Sequence, residues 1–277
     1  MQYFDAHCHL DHADFSSPND PHALDAIIAR MRETKTVAVT HGTNRQSNHN
    51  QLDLVARYPD VLKAACGLDP FHAASEDLGP HMAFLQAAHK AKKLAAIGEI
   101  GLDLHYFGPE TLARQRQVFE EQLAFAEKNG LACVIHTRKA VEEVLQILPS
   151  YKATHVLHFF LEKNHAKVAL ETGCFLSLPT VKSKDRTAII KQAPLDRLLC
   201  ETDSPYGWKG GTTKGSGNSA QTPKNANTEQ TPLGARPDRN EPSNVREVYE
   251  HIATTLDKDL KDVQAQILEN GKKVFRL

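Results

Sequence analysis

Eight short apolar segments, most of them followed by a longer amphipathic one, restrict the folds that this chain can adopt. The apolar segments predict strands over residues 3–9, 36–41, 62–68, 95–101, 131–136, 154–158, 173–178 and 197–203. Strands that alternate with helices indicate an α/β protein with a parallel sheet. Eight strands are the number that closes a (β/α)8 TIM-type barrel. A doubly wound open sheet is the alternative.

The segments between these strands carry a helical period. The pattern is clearest over residues 111–128, where Phe119, Leu123 and Ala126 follow the 3.6-residue spacing and Asn129-Gly130 supplies a stop signal. Further helices are predicted over residues 21–33, 45–58, 80–93, 138–148, 163–172 and 184–192, and two closing helices over 243–277.

One polar segment interrupts this alternation of predicted strands and helices. Residues 207–240 are rich in Gly, Thr, Ser, Asn, Lys and Pro, a composition that cannot bury enough apolar surface to offset the entropy of ordering. We therefore expect a mobile loop after the eighth strand. Too few residues follow this loop to build a second domain, so residues 1–277 are expected to form one barrel domain.

Charge and cysteine content limit the partners and the compartment. The chain has 33 Lys and Arg against 34 Asp and Glu, whereas proteins that grip long nucleic acids are usually more basic. A nucleic-acid substrate would therefore be bound at an end or over a short stretch. The alternative is a protein that has no polyanionic partner. The five cysteines form no C-x-x-C pair and lie in apolar segments, which indicates buried free thiols. With no signal peptide or membrane span recognisable, a cytoplasmic protein is expected.

The most specific chemical feature is the sequence His7-Cys8-His9 in the first predicted strand. Side chains alternate between the two faces of a strand, so both imidazoles point to one side and Cys8 to the other. Two imidazoles at this spacing can share one metal ion. Because His-x-His also occurs by chance, the motif needs support from elsewhere in the chain.

Four more polar residues supply that support. Glu99 is an acid within an apolar strand, where a lone carboxylate needs a metal, a cation or a proton. His136, His158 and Asp203 lie near the carboxyl ends of the fifth, sixth and eighth predicted strands. Each alone could be a hydrogen-bonded core or rim residue. Together they indicate a metal site at the C-terminal face of the barrel, where the active sites of this fold are assembled.

The chain also resembles the TatD family of deoxyribonucleases over nearly its whole length. The blocks that carry the resemblance are Asp5-Ala6-His7-Cys8-His9-Leu10, Gly98-Glu99-Ile100-Gly101-Leu102-Asp103, Ile135-His136-Thr137-Arg138, Leu157-His158-Phe159 and Glu201-Thr202-Asp203-Ser204-Pro205-Tyr206. Arg239-Asn240-Glu241-Pro242 is similar to the family's C-terminal block.

The resemblance implies a site for two divalent metal ions. One ion would be held by His7, His9 and Asp203 and the other by His136 and His158, with Glu99 bridging both. Asp203 and Glu99 would be the catalytic residues, Asp203 as general base. Four imidazoles and two carboxylates suit zinc, manganese or iron better than magnesium, although the resemblance keeps magnesium in range.

The chain departs from the family after the third strand. Asp69 stands where the family has a histidine near the substrate phosphate, and His72 in the adjacent turn is a candidate to replace it. Arg138, predicted to open the helix after His136, is a candidate phosphate contact. Asp5 is a candidate to orient a ligand imidazole, and Asp103 is expected to hydrogen-bond the backbone of its own loop.

Three functions fit these patterns. The leading hypothesis is a metal-dependent phosphodiesterase, a deoxyribonuclease that digests DNA from an end. The alternative is a binuclear amidohydrolase or esterase that acts on a small amide, lactone or acyl ester. A metal-stabilised binding protein without turnover is the third, and six ligands gathered at the open face of a barrel argue against it, because a structural metal site needs no open position.

Overall fold

Eight parallel strands, hydrogen-bonded in chain order, form a barrel. The computed structural model describes residues 2–15, 22–207 and 239–275. The strands are β1 (Tyr3–Cys8), β2 (Thr36–Gly42), β3 (Leu62–Cys66), β4 (Ala96–Asp103), β5 (Ala132–Arg138), β6 (His155–Leu157), β7 (Phe175–Leu178) and β8 (Leu198–Cys200). The Asp203 N–H donates to the His7 carbonyl at 2.8 Å and the His9 N–H to the Ser204 carbonyl at 2.7 Å, which joins the chain after β8 to β1. The predicted barrel is confirmed.

Nine helices of the described chain connect and cover these strands. They are α1 (Ala23–Thr34), α2 (Arg45–Arg57), α3 (Leu78–Lys90), α4 (Leu112–Asn129), α5 (Val141–Ile147), α6 (Ala166–Glu171), α7 (Lys184–Gln192), α8 (Arg246–Leu256) and α9 (Leu260–Phe275). The prediction that Arg138 opens a helix is wrong. Arg138 is the last residue of β5, and α5 begins only at Val141 because β5 keeps its register with β4 through the Asp103–Arg138 pair.

The predictions about the polar segment, the cysteines and the cellular location have different outcomes. Most of the polar segment predicted over 207–240, namely residues 208–238, lies outside the described residues. All five cysteines are buried and unpaired, as predicted. In the described part of the chain no helix combines the length and the apolar character needed to cross a bilayer. The cytoplasmic location stays a prediction.

Buried apolar side chains form two layers. The barrel interior is closed at one end by Phe275 of α9, and its further members are Phe4, Ala6, Val39, Ala65, Ala96, Ala132, Val134, Val156, Phe175, Leu199 and Val274. A larger layer packs the outer faces of the strands against the helices and includes Ile97 and Ile100 of β4. Both layers consist of aliphatic and aromatic side chains, so polar side chains gathered at the other end of the barrel stand out.

Extra residues in β1 and β4 break the alternation of side chains. In β1, Asp5 pairs with Ala38 of β2, and Cys8 pairs with Thr40. The chain thus advances three residues in β1 over a length where β2 advances two. In β4 the same shift occurs between Ile97 and Ile100. Such bulges re-aim side chains. Strict alternation would send His7 and Glu99 outwards, because Ala6 and Ala96 face the interior, and the extra residue turns both towards the barrel mouth.

Candidate metal centre

Four of the predicted ligands form one half of a buried cluster. The Nε2 atoms of His7 and His9 lie 3.0 Å apart. Each lies 3.5 Å from Glu99 Oε2. Asp203 Oδ1 is 3.6 Å from the His7 nitrogen and 3.4 Å from the His9 nitrogen. Two imidazole nitrogens and two carboxylate oxygens thus converge on one point.

The other half of the cluster uses the second oxygen of Glu99. Glu99 Oε1 lies 2.9 Å from His136 Nδ1 and 3.1 Å from His158 Nε2. The structure therefore brings all six predicted residues together. Three overlapping groups have ligand atoms within 4.8 Å of one another: His7, His9 and Glu99; His7, His158 and Asp203; and Glu99, His136 and His158.

Acceptors outside the cluster fix two of the four imidazoles by hydrogen bonds. His9 Nδ1 donates to the His41 carbonyl oxygen at 3.1 Å, because a carbonyl can only accept. His136 Nε2 lies 2.9 Å from Asp103 Oδ2. His158 Nδ1 lies 3.4 Å from Glu201 Oε1 but makes no hydrogen bond. When the outer nitrogen carries the proton, the inner nitrogen of a neutral ring keeps its lone pair, as is typical of histidines that bind metals.

Two of these acceptors bear on the sequence predictions. Asp103 Oδ1 accepts from the backbone N–H groups of His105 and Tyr106 at 2.8 Å each, as expected, and its other oxygen holds His136. Glu201 was not singled out. Its signal is the one that identified Glu99, an acid within an apolar strand, and its Oε1 also accepts from the Phe159 N–H at 2.6 Å.

The hypothesis that Asp5 orients an imidazole is wrong. Its carboxylate accepts from the Thr202 N–H at 2.9 Å, from the Thr202 hydroxyl at 2.6 Å and from the His7 backbone N–H at 3.2 Å. The bulge in β1 separates Asp5 from the face that carries the His7 ring. Asp5 therefore fixes the chain after β8 against β1.

His41 of β2 is a further buried imidazole, and it was not predicted from the sequence. Its ring stacks on His7 with 3.9 Å between centroids, and His158 stacks on the opposite side at 4.1 Å. Burial lowers the pKa of His7 well below its ordinary value, and the neighbouring His41 and His158 act in the same direction. His7 is thus a neutral ring between two others.

The charged groups of the cluster include Glu99, His9 and His136. Burial opposes ionisation of Glu99, yet His158, His136 and His7 outweigh it and hold its pKa well below the usual range. Burial likewise opposes protonation of His9, but Asp203 and Glu99 raise its pKa to about 9. The pKa of His136 rises to about 8, where Asp103 and Glu99 overcome burial. Without a metal, the cluster is an anionic site neutralised by protons.

The segment that carries Asp203 is held by the C-terminal block. Asp203 has a left-handed backbone with φ 54°. Asn240 Nδ2 donates to the carbonyl oxygens of Thr202 and Tyr206, at 2.7 Å each. Glu241 pairs with Arg30 of α1, with 2.8 Å between Oε1 and Nε. This block therefore positions the residues on both sides of Asp203.

Comparison with known proteins identifies the family to which this chain belongs. The sequence profile described as TatD related DNase matches residues 4–276. The chain belongs to the TatD family. It is 30% identical over 287 residues to the uncharacterized metal-dependent hydrolase YabD of Bacillus subtilis, a match that covers 99% of each chain. This TatD-family protein is a metal-dependent hydrolase, as predicted.

Two further relatives of this TatD-family protein are informative. The 3'-5' ssDNA/RNA exonuclease TatD of Erwinia tasmaniensis is 28% identical over 270 residues, covering 91% of this chain and 93% of that one. The crystal structure of the TatD homologue YjjV from Escherichia coli has a TM-score of 0.79 at 23% identity, over 99% of this chain and 98% of that one. The latter likeness supports the barrel fold alone.

The predicted substrate contacts lie around the mouth of the barrel. Asp69 is buried, and its Oδ1 lies 2.7 Å from His72 Nδ1. The side chain of His72 is 35% exposed. Its other nitrogen lies 3.1 Å from Asn44 Nδ2. Arg138 is exposed at the end of β5, and its Nη1 donates to the Tyr106 hydroxyl at 3.1 Å.

Proposed function

We propose that this TatD-family hydrolase is a phosphodiesterase that removes nucleotides from an end of DNA, using two divalent metal ions. The observation that carries the proposal is that the two carboxylate oxygens of Glu99 face two separate pairs of imidazoles. One bridging carboxylate between two sets of donors is the arrangement expected of a two-metal hydrolytic site. The exonuclease name of the Erwinia relative supports nucleic acid as the substrate class.

The donor set fits two ions. His7, His9 and Asp203 would hold one ion, His136 and His158 the other, and Glu99 both. The outer hydrogen bonds of His9 and His136 support this assignment, because they leave the inner nitrogens free to coordinate. Two anionic carboxylates partly balance the charge of the ions. Imidazole-rich coordination favours zinc, manganese or iron over magnesium.

The chemistry divides between the metals and the protein. When bound, the two ions would lower the pKa of a water molecule and neutralise charge on the phosphate. Asp203 would accept the proton of the attacking water as general base. This role suits its position, since Asp203 Oδ1 faces the cluster and its segment is fixed by Asn240. Asp103 would hold His136 in place through its 2.9 Å contact.

The mouth residues would bind the phosphodiester. Arg138 is exposed next to His136 in β5 and offers several donors to phosphate oxygens. His72 would take the place of the family histidine, with Asp69 orienting its ring through the 2.7 Å contact. Asp69 thereby acts through His72, because its own carboxylate would repel a phosphate.

An amidohydrolase or esterase acting on a small acyl substrate is the second candidate. Exposed aromatic rings at the mouth favour it, since Phe71 lies 6.0 Å from His136 and Tyr206 lies 5.7 Å from His9, measured between ring centroids. Apolar surface next to a hydrolytic centre would accept an acyl group as well as a nucleobase.

A substrate panel separates the two candidates. Linear single-stranded, linear duplex and covalently closed circular DNA are incubated with manganese or magnesium, beside a set of esters, amides and lactones. Release of mononucleotides from linear DNA, with circles spared, is the expected result. The Asp203→Asn variant, purified in parallel, controls for contaminating nuclease. Efficient cleavage of an acyl substrate with inert DNA would replace the phosphodiesterase proposal by the second candidate.

A further inference from the structure

Exposed aromatic side chains concentrate at the mouth of the barrel. Within residues 2–15, 22–207 and 239–275, the exposed large hydrophobic side chains are Phe71, Tyr106, Val168 and Tyr206. Three of these four are aromatic, and all three follow strands that contribute to the candidate site or its rim. Grouped exposed apolar surface in a folded protein commonly marks a binding site.

Phe71, Tyr106 and Phe107 form one group, which we call the aromatic platform. The ring centroid of Phe71 lies 5.4 Å from that of Tyr106 and 5.3 Å from that of Phe107. Phe71 is 41% exposed and Tyr106 is 49% exposed, so ring surface is open to a ligand. The guanidinium of Arg138 lies 4.6 Å from the centre of the Tyr106 ring. The platform thus combines open aromatic surface with one cation.

One carboxylate ties the platform to the candidate metal centre. Asp103 Oδ2 holds His136 Nε2 at 2.9 Å, while Asp103 Oδ1 accepts from the Tyr106 backbone N–H at 2.8 Å. Phe71 approaches from the loop after β3, with its ring edge-on to His136 at 6.0 Å. The position of the platform relative to the site is therefore fixed, and a group bound on the platform lies beside the reacting centre.

We propose that the aromatic platform is a stacking subsite for the nucleobase next to the phosphodiester that is cleaved. The inference rests on the proposed function and assigns the surface that positions the substrate strand. Every nucleobase presents a flat π-face, so stacking binds a strand without reading its sequence. Arg138 at the platform edge would contact the phosphate of the same nucleotide. A protein of balanced charge with few cations at its mouth gains from this mode, because stacking needs no phosphate neutralisation.

The test compares a normal and an abasic substrate. Oligothymidylate is offered to the wild type, to Phe71→Ala and to Tyr106→Ala, beside an oligonucleotide of equal length with abasic terminal residues. Loss of a stacking contact weakens binding by about 5–150-fold per base. We expect KM on oligothymidylate to rise within that range in both variants, with a much smaller change on the abasic strand. Val168→Ala removes an exposed apolar side chain from α6 and is the matched control.

A binding measurement keeps this inference separable from the proposed function. Fluorescence anisotropy of labelled oligothymidylate on metal-free protein reports stacking without turnover, and Tyr106→Phe should retain most of the binding that Tyr106→Ala loses. Equal KM increases on both strands, or DNA cleavage unaffected by either alanine variant, would overturn the subsite while leaving the nuclease in place. Binding that depends on the platform without any DNA cleavage would uphold the subsite and refute the nuclease. Aromatic esters that depend on the platform, with no oligonucleotide binding, would refute both.

Discussion

Asp203 occupies a left-handed backbone position at the mouth of the barrel, with φ 54°. Asparagine tolerates this conformation, so Asp203→Asn removes the charge while keeping the local geometry. We expect turnover to fall by about 10²–10⁴-fold, the range for loss of a general base. Cooperative unfolding should be retained. The measurement is the initial rate at saturating manganese, where wild-type turnover would show that Asp203 is neither base nor essential ligand.

The imidazoles of the cluster predict how metal binding depends on pH. In the metal-free protein the pKa of His9 is about 9 and that of His136 about 8, so both carry protons at neutral pH. A metal ion must displace these protons, and its apparent affinity should therefore rise with pH until about pH 8–9. Each displaced proton changes the affinity by about tenfold per pH unit.

Manganese titrations at pH 6, 7 and 8, with calorimetry in two buffers of different ionisation enthalpy, measure both the affinity and the protons released. Affinity that is independent of pH, with no proton release, would contradict the protonated state of the metal-free cluster.

At this scale the sequence was sufficient to bring the candidate ligands to notice and insufficient for the residues that contact them. Glu99 and His158 could be found because a polar residue in an apolar strand is visible within its own segment. His41 and Asp103 contact imidazole rings on the neighbouring strands. These contacts depend on the register between strands, which a single sequence does not show. Asp5 was misjudged for the same reason.

At the scale of elements, the bulges in β1 and β4 decide where the candidate ligands His7 and Glu99 point. Strands and helices were predictable because apolar spacing reports which faces are buried. The bulges were not, because an extra residue appears only when two strands are paired. Beyond the bulge in β4, Gly101 pairs with His136 of β5, and the two strands approach closely.

Gly101 is the residue that permits this approach. Its φ is 143°, and a Cβ atom would be forced against the His136 carbonyl oxygen. Gly101→Ala should therefore lower the free energy of unfolding by more than about 3 kcal/mol, through backbone strain and overlap together. Gly173 also has a positive φ, 88°, but a Cβ there would meet nothing within 4 Å.

Gly173→Ala is thus the matched control, with a cost of about 1–2 kcal/mol from the backbone alone. Urea unfolding of both variants gives the comparison. Equal losses would show that β4 and β5 shift apart without penalty.

At the scale of the whole molecule, the candidate ligands come from five different strands or the loops that follow them. A bound ion therefore links parts of the barrel that are distant in sequence, and binding to the folded state alone stabilises it by about 2.7 kcal/mol per site at a hundredfold excess over Kd. We expect manganese to approach two equivalents per chain by elemental analysis, and chelation to lower the Tm. A firm stoichiometry of one, unchanged in Glu99→Ala, would refute the bridged pair of ions.

Charge balance over the whole chain predicts a weak dependence of DNA cleavage on salt. The net charge is −1, and Arg138 and Lys139 are exposed cations at the end of β5. Few phosphates can then be neutralised, so a log–log plot of kcat/KM against salt should have a slope of only about one to two in magnitude.

The slope can be assigned to individual side chains. Arg138→Gln should reduce it by about 0.7, the contribution of one phosphate contact on a single strand. Lys167→Gln is the matched control, because Lys167 lies on α6 and pairs with Glu171 at 3.9 Å. A slope above about six in the wild type would require a long basic groove. That result would transfer substrate binding from the mouth of the barrel, where stacking and a single arginine suffice, to a surface that tracks an extended strand.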